Sequence, residues 1–175
     1  SLPMALDDHG ENPPSTHRTR LDDGMELQFP LVGASRPHYE SVYCALAHPT
    51  APEALWIRTT VQKRPGEGAT GALWFTWFSE QGVRAGKLNE LPVRPGGHGI
   101  VCGPATQGPA GSQGELEVDG LSAQWDLAFA SRSPELKHLH PDILYRAPLP
   151  RTKSTSPRPD FDLGGRVIVE GHEID

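Results

Sequence analysis

Apolar and polar residues alternate along several short stretches of the chain, and such alternation predicts β-strands. The clearest stretch spans residues 121–129, where every second residue is apolar, from Leu121 through Trp125 to Phe129. Because successive side chains of a strand point to opposite faces, this pattern predicts a strand with one buried face. Asp119-Gly120 precedes it and predicts a tight hairpin turn from a strand at 114–118, since both residues tolerate positive φ.

Three further strands are predicted in succession at 55–62, 71–78 and 83–88, after one at 37–47. Their connections at 65–68 and 79–82 are short and contain glycine, which is typical of a meander of antiparallel strands. The segment 71–78 is apolar on both faces, so we expect both faces to be covered. Seven to nine short strands in this order suit a β-barrel or a β-sandwich, and the meander favours the barrel.

Four other segments complete the organisation. Residues 1–24 have no periodic apolar face and predict a flexible tail, which leaves 25–175 as one β-domain. Ser133-Pro134-Glu135 suggests one short helical turn within 133–140. Four prolines predict an extended, irregular course for 148–159. A final strand, 161–169, turns at Glu170-Gly171 and begins a return strand that ends with the chain, which suggests a truncated sequence.

The charge of the chain excludes some partners. Its 16 Lys and Arg against 22 Asp and Glu give a net charge of −6, without a basic cluster. This argues against a nucleic-acid surface and against docking on anionic membranes. No membrane span or secretory leader is apparent, so we expect a soluble cytoplasmic protein. The two cysteines, Cys44 and Cys102, could form one bridge, but buried free thiols are expected.

Searches for cofactor and metal motifs identify no site. The chain has no glycine-rich loop that would cradle phosphates between a strand and a helix. His138 and His140, with Asp142 nearby, could chelate a metal if they lay on a strand. Their segment is bounded by prolines and offers no obvious third ligand, so no metal is predicted.

Four residues are the candidates for ligand binding. Trp74 and Trp77 are three apart on one predicted strand and therefore point to opposite faces, so one of them faces a ligand or another domain. Trp56 and Arg58 share a strand face, either as a pocket wall in which Arg58 fixes a polar head group or as a solvated exterior.

The carboxylates offer weaker candidates for acid catalysis. An acid that protonates an alkene must be buried near aromatic rings that stabilise the carbocation. Glu40, Asp126 and Asp162 are the acids considered, and each is more simply a surface carboxylate.

Longer sequence runs resemble a known family. The runs are GLSAQWDL (120–127), YRAPLPRTK (145–153), SPRP (156–159) and FDLGGRV (161–167). They resemble the N-terminal half of the AttH-like, hydroxyneurosporene-synthase-like lipocalin family over about residues 25–175. Relatives in that family include carotenoid hydratases, tocopherol cyclases and pericyclases of the Diels–Alderase type.

The resemblance implies an all-β, lipocalin-like (calycin) antiparallel barrel, the first of two in tandem, with the C-terminal barrel absent. It implies an apolar, isoprenoid- or polyene-like ligand in a barrel mouth or between the halves, and no organic cofactor. Two alternatives stay open. One is a cofactor-independent lyase, hydratase or cyclase acting on such a ligand, and the other is a protein-docking module without a ligand.

Overall fold

The computed structural model describes residues 25–97, 99–131, 133–149 and 152–174, and the tail predicted at 1–24 lies outside them. The described part is almost entirely β, with twelve strands and one short 3-10 helix at Asp142–Tyr145. The strands are β1 His38–Ala47, β2 Ala54–Lys63, β3 Ala69–Ser79, β4 Gly82–Gly96, β5 Gly99–Cys102, β6 Ala105–Gly108, β7 Gly111–Val118, β8 Leu121–Ser131, β9 Leu136–Lys137, β10 Thr155–Ser156, β11 Phe161–Val169 and β12 His172–Ile174.

Ten of these strands form one antiparallel sheet in the order β1 to β8, then β11 and β12, curled into a half-barrel. Each of β1 to β7 pairs with the next strand in the chain, and this confirms the predicted all-β meander. The segment between β8 and β11 leaves the sheet and contains the small β9–β10 ribbon. The turn at Asp119-Gly120 has φ values of 51° and 77°, as the predicted hairpin requires.

The strand β4 carries the chain from one half of the curled sheet to the other. Its first part pairs with β3, and its last four residues, 93–96, pair with β5. The register shifts opposite Gly71 and Leu73, and Glu90 has a φ of 52° beside this shift. A bulge of this kind bends a strand and increases its twist, which lets one strand serve both halves.

The inner faces of the two halves meet in a filled core. Phe75 on β3 lies 5.3 Å from the ring of Trp125 on β8, measured between ring centroids. The indole nitrogen of Trp125 donates a hydrogen bond of 2.9 Å to the Oγ of Ser112. Burial of these apolar side chains is the main force that holds the halves together. The principal core residues are Leu55, Ile57, Leu73, Phe75, Trp77, Leu116, Leu121, Trp125, Leu127, Val167 and Val169.

A second cluster closes one end of the half-barrel. Met25, Leu27 and Phe29 pack there with Val61 and Ile100. The carboxylate of Glu40 on β1 accepts the backbone N–H of Phe29 at 2.9 Å and that of residue 28 at 3.1 Å. Glu40 therefore ties the N-terminal segment to the sheet.

Two predictions for irregular parts of the chain were wrong or incomplete. The described part of 133–140 contains strand β9 and no helical turn, because Leu136 and Lys137 pair with β10. The short 3-10 helix follows Pro141, whose φ of −76° suits the start of a helix. The sequence also did not predict β5 and β6, which have four residues each.

Candidate functional site

Aromatic and cationic side chains form a row across the outer face of the first four strands. In register, Tyr43 on β1 lies beside Arg58 on β2, which lies beside Trp74 on β3, and Trp74 lies beside Lys87 on β4. Neighbouring strands place such cross-strand partners in contact distance. We use "aromatic face" for the outer surface of β1–β4 that carries Tyr39, Tyr43, Trp56, Arg58, Trp74, Phe78, Val83 and Lys87.

Neighbouring side chains hold the guanidinium of Arg58 in one position. Its Nε donates to the Oγ of Ser41 at 2.8 Å, and its Nη2 donates to the hydroxyl of Tyr39 at 2.7 Å. The guanidinium carbon lies 5.6 Å from the ring centroid of Trp56, within cation–π range. The cation is thus oriented by two neutral hydroxyls and an aromatic ring.

Lys87 and Trp74 form the second cation–aromatic pair. The ammonium of Lys87 lies 4.1 Å from the ring centroid of Trp74. Trp74 itself is half-buried, and its buried indole N–H has no acceptor among the described residues. The ring of Trp74 lies on the outer surface, and the flexible side chain of Lys87 covers part of it.

Several large apolar side chains of the aromatic face remain in contact with solvent. Tyr43 is 61% exposed, Val83 61%, Tyr39 59% and Phe78 41%. Contiguous apolar surface of this kind commonly marks a site of ligand or protein interaction. The sequence predicted that both sides of β3 would be covered, but the described residues cover only its inner side and leave Phe78 exposed on the outer side.

Trp77 lies apart from the other three candidate residues. It is on the inner face of β3, 8% exposed, and stacks on the ring of His172 at 5.7 Å between centroids. The Nε2 of His172 is 3.1 Å from the Oε1 of Glu53. Trp74 and Trp77 thus face opposite sides, as predicted, and the sheet brings Trp56, Arg58 and Trp74 together without Trp77. The ligand-binding roles of all four stay predictions.

The three acids considered from the sequence lie away from the aromatic face. Glu40 is on the inner face, where its oxygens accept backbone N–H groups. Asp126 and Asp162 are exposed and lie on β8 and β11 of the other half. This arrangement places none of the three beside the aromatic rings of the outer face, where acid catalysis on a bound alkene would require a carboxyl group.

The histidines considered as metal ligands have other contacts. The Nε2 of His138 is 2.9 Å from the Oγ of Ser156, which joins the β9–β10 ribbon. Within the ranges that the structure describes, no three His, Cys, Asp or Glu side chains are grouped to hold a metal ion.

A shallow groove on the outer face of the second half was not predicted from the sequence. It has a volume of about 460 Å³ and lies across β6, β7, β8 and β11. Gln113, Asp126 and Arg166 lie side by side in it through strand register. The polar residues that alternate along 121–129 line part of this groove, but by themselves they predict only a solvent-exposed strand face.

Both cysteines are buried free thiols, as expected from the sequence. Burial raises the pKa of Cys44 to about 11, although a hydrogen bond from Gln107 lowers it in part. Burial likewise raises the pKa of Cys102 to about 11. Since the thiolate is the reactive form, neither group suits nucleophilic catalysis.

No family model, curated protein or solved structure matches the chain. The resemblance to the AttH-like family therefore stays a prediction. No helix in the described ranges has the length and hydropathy needed to cross a membrane.

Proposed function

We propose that the chain binds an apolar, isoprenoid- or polyene-like molecule on the aromatic face, as one half of a two-barrel lipocalin-like protein. The observation that carries this proposal is the row in which Arg58 and Trp74 are neighbours, with Trp56 beside Arg58. Aromatic surface with a few fixed polar groups is the usual composition of a small-molecule site. The second barrel would cover the ligand from the other side.

The packing of the inner face supports the outer face as the ligand's location. Ile57, Leu73 and Phe75 are fully buried between the halves. Opening the core for a ligand would separate these side chains and cost about 25 cal/mol for each Å² of apolar surface exposed. On the aromatic face, a flat conjugated chain instead gains contact with surface that is already exposed.

The proposal predicts that a neutral polyene quenches the tryptophan fluorescence of the full-length protein, including the second barrel. The methyl ester of parinaric acid is a suitable probe. Trp74→Ala should weaken its binding by about tenfold, because a stacked aromatic contact is lost. Ile143→Ala is the control, since Ile143 is 69% exposed and outside the sheet. Unchanged affinity in Trp74→Ala would refute the location of the site.

A protein-docking module is the second candidate function. Tyr43, Phe78 and Val83 favour it, because they are exposed on a sheet surface rather than within a cleft. In that case native mass spectrometry of the full-length protein would detect a stable oligomer or bound protein and no small molecule. The aromatic face would then be the interface, and Tyr43→Ser should dissociate it.

The enzymatic alternative, a cofactor-independent hydratase or cyclase, receives little support from these residues. It requires an acid beside the ligand, whereas Glu40, Asp126 and Asp162 all lie off the aromatic face. An enzyme built on this face would need an acid other than these three. Replacing the three acids singly should therefore leave any activity of the full-length protein unchanged.

A further inference from the structure

We infer that the ligand of the aromatic face is an amphiphilic anion, with a carboxylate at one end of its apolar chain. This inference rests on the proposed function and names the charge of the ligand. It follows from the sign of the charges on the face and from the lack of any ion pair between these cations and a carboxylate of the described residues.

Where β1, β2, β3 and the first part of β4 are paired, the outer positions carry two cations, Arg58 and Lys87, and no Asp or Glu. This departs from the chain as a whole, in which 22 acidic residues exceed 16 basic ones. Among the nearby acids, Glu40 is on the inner face and Glu80 is in the β3–β4 turn, while Glu90 lies in the bulge of β4 and forms no ion pair among the described residues. The aromatic face is thus locally positive on a negative protein.

Neither cation forms an ion pair with a carboxylate within the described residues. Arg58 bonds to hydroxyl oxygens, and Lys87 lies over an indole ring. The carboxylates that are paired with arginine elsewhere, such as Glu173 with Arg166, show that this chain does form such pairs on its surface. An anionic ligand would supply the missing charge, and hydrogen bonds between charged groups are stronger than neutral ones.

Arg58 is the better anchor for the carboxylate. Its bonds to Ser41 and Tyr39 fix the guanidinium and leave N–H donors on Nη1 and Nη2 for an anion. A side chain that is already ordered loses little further entropy when it binds. Lys87 lies two strands away, about 10 Å at the usual spacing of strands, with Trp74 between them. The apolar chain can therefore cross Trp74 while its head bonds to Arg58, and Lys87 adds a second favourable charge.

The test compares parinaric acid with its methyl ester, two probes with the same polyene and a different head. With the full-length protein, the acid should bind about tenfold or more tightly, as expected for a charge-assisted hydrogen bond. Arg58→Gln should remove this preference, because it should weaken binding of the acid far more than binding of the ester. Arg94→Gln is the matched control, because Arg94 is an exposed arginine at the far end of β4, and the preference should persist in it.

Each outcome bears on a different claim. If neither probe binds, the proposed function fails. If both bind equally, the site exists and the anion inference is wrong. If the acid is preferred equally by wild type and Arg58→Gln, the anionic ligand is supported and the assignment of its anchor to Arg58 is overturned. Circular dichroism of Arg58→Gln, compared with wild type, separates loss of the cation from loss of the fold.

Discussion

Ser112→Ala would remove the acceptor of the hydrogen bond that the indole N–H of Trp125 donates across the β7–β8 pair. Both side chains are 3% exposed, and Trp125 packs against Phe75 in the core. Solvent therefore cannot replace the lost acceptor without opening the core. A buried donor left without a partner costs about 1–3 kcal/mol.

A double-mutant cycle separates this penalty from the loss of packing. Trp125→Phe removes the donor but also removes part of the ring system, which costs about 1–3 kcal/mol in packing and leaves the serine hydroxyl unpaired. In the double variant neither partner remains, so only the packing loss should persist. The double variant should therefore be destabilised by about 1 kcal/mol less than the sum of the single variants.

Urea denaturation followed by far-ultraviolet circular dichroism measures these free energies without relying on tryptophan emission. With a slope of about 1–3 kcal/mol per molar urea, a loss of about 2 kcal/mol shifts the midpoint by about 1 M. Ser122→Ala is the control, because Ser122 is exposed on β8, the strand that carries Trp125, and it should change stability by less than about 0.5 kcal/mol. Additive single effects would contradict the argument.

Two further predictions concern stability. Burial raises the pKa of Cys44 and Cys102 from 9.0 to about 11, so folding favours the neutral thiols. Their contribution is complete below pH 9.0 and is lost as the pH rises towards 11, by about 1.4 kcal/mol per pKa unit for each thiol. When both cysteines are replaced by Ala, the free energy of unfolding measured by urea denaturation should fall less as the pH rises from 9.0 towards 11. Gly165→Ala should lower the thermal midpoint, because φ is +133° and the new Cβ would clash with the backbone of Asp126, whereas Gly164→Ala meets open space and should not.

Strict alternation allowed the strongest parts of the fold to be predicted. In β8 every second side chain from Leu121 to Phe129 is buried, as the sequence pattern indicated. The hairpin before it was predictable because Asp119-Gly120 supplies two residues that accept positive φ. These signals depend only on residues close together in the sequence, so they can be recognised without knowing which strands are neighbours.

The strands that were missed depend on contacts distant in the sequence. β5 and β6 have four residues each and lie among glycines and prolines, which locally favour turns. They form because β4 bends at its bulge, which places Val93 opposite Cys102 of β5. Each short strand can then pair with the next. The prediction ended β4 near Leu88 because the bulge and Pro92 interrupt the local pattern, although the strand continues to Gly96.

The aromatic face was only partly predictable, for the same physical reason. Trp56 and Arg58 could be assigned to one strand face from their spacing, and Trp74 could be separated from Trp77. Tyr43 and Lys87 could not be added, because a shift of one residue in register would have placed each on the opposite face. The register that puts Arg58 beside both Tyr43 and Trp74 is set by the buried partners on the inner side, such as Ile57 opposite Phe75.

Because the buried residues set the register of the strands, the core also determines which side chains are neighbours on the outer face. The inner positions of β1–β4 must match the second half of the sheet, and this requirement fixes which side chains lie opposite them. The core alone, however, gives no reason for Trp74 and Phe78 on the outer side of β3, where Thr and Lys would keep the strand soluble. The two aromatic residues at these outer positions, with cations beside Trp74 that have no carboxylate partner among the described residues, are what the proposed occupant of the aromatic face would require.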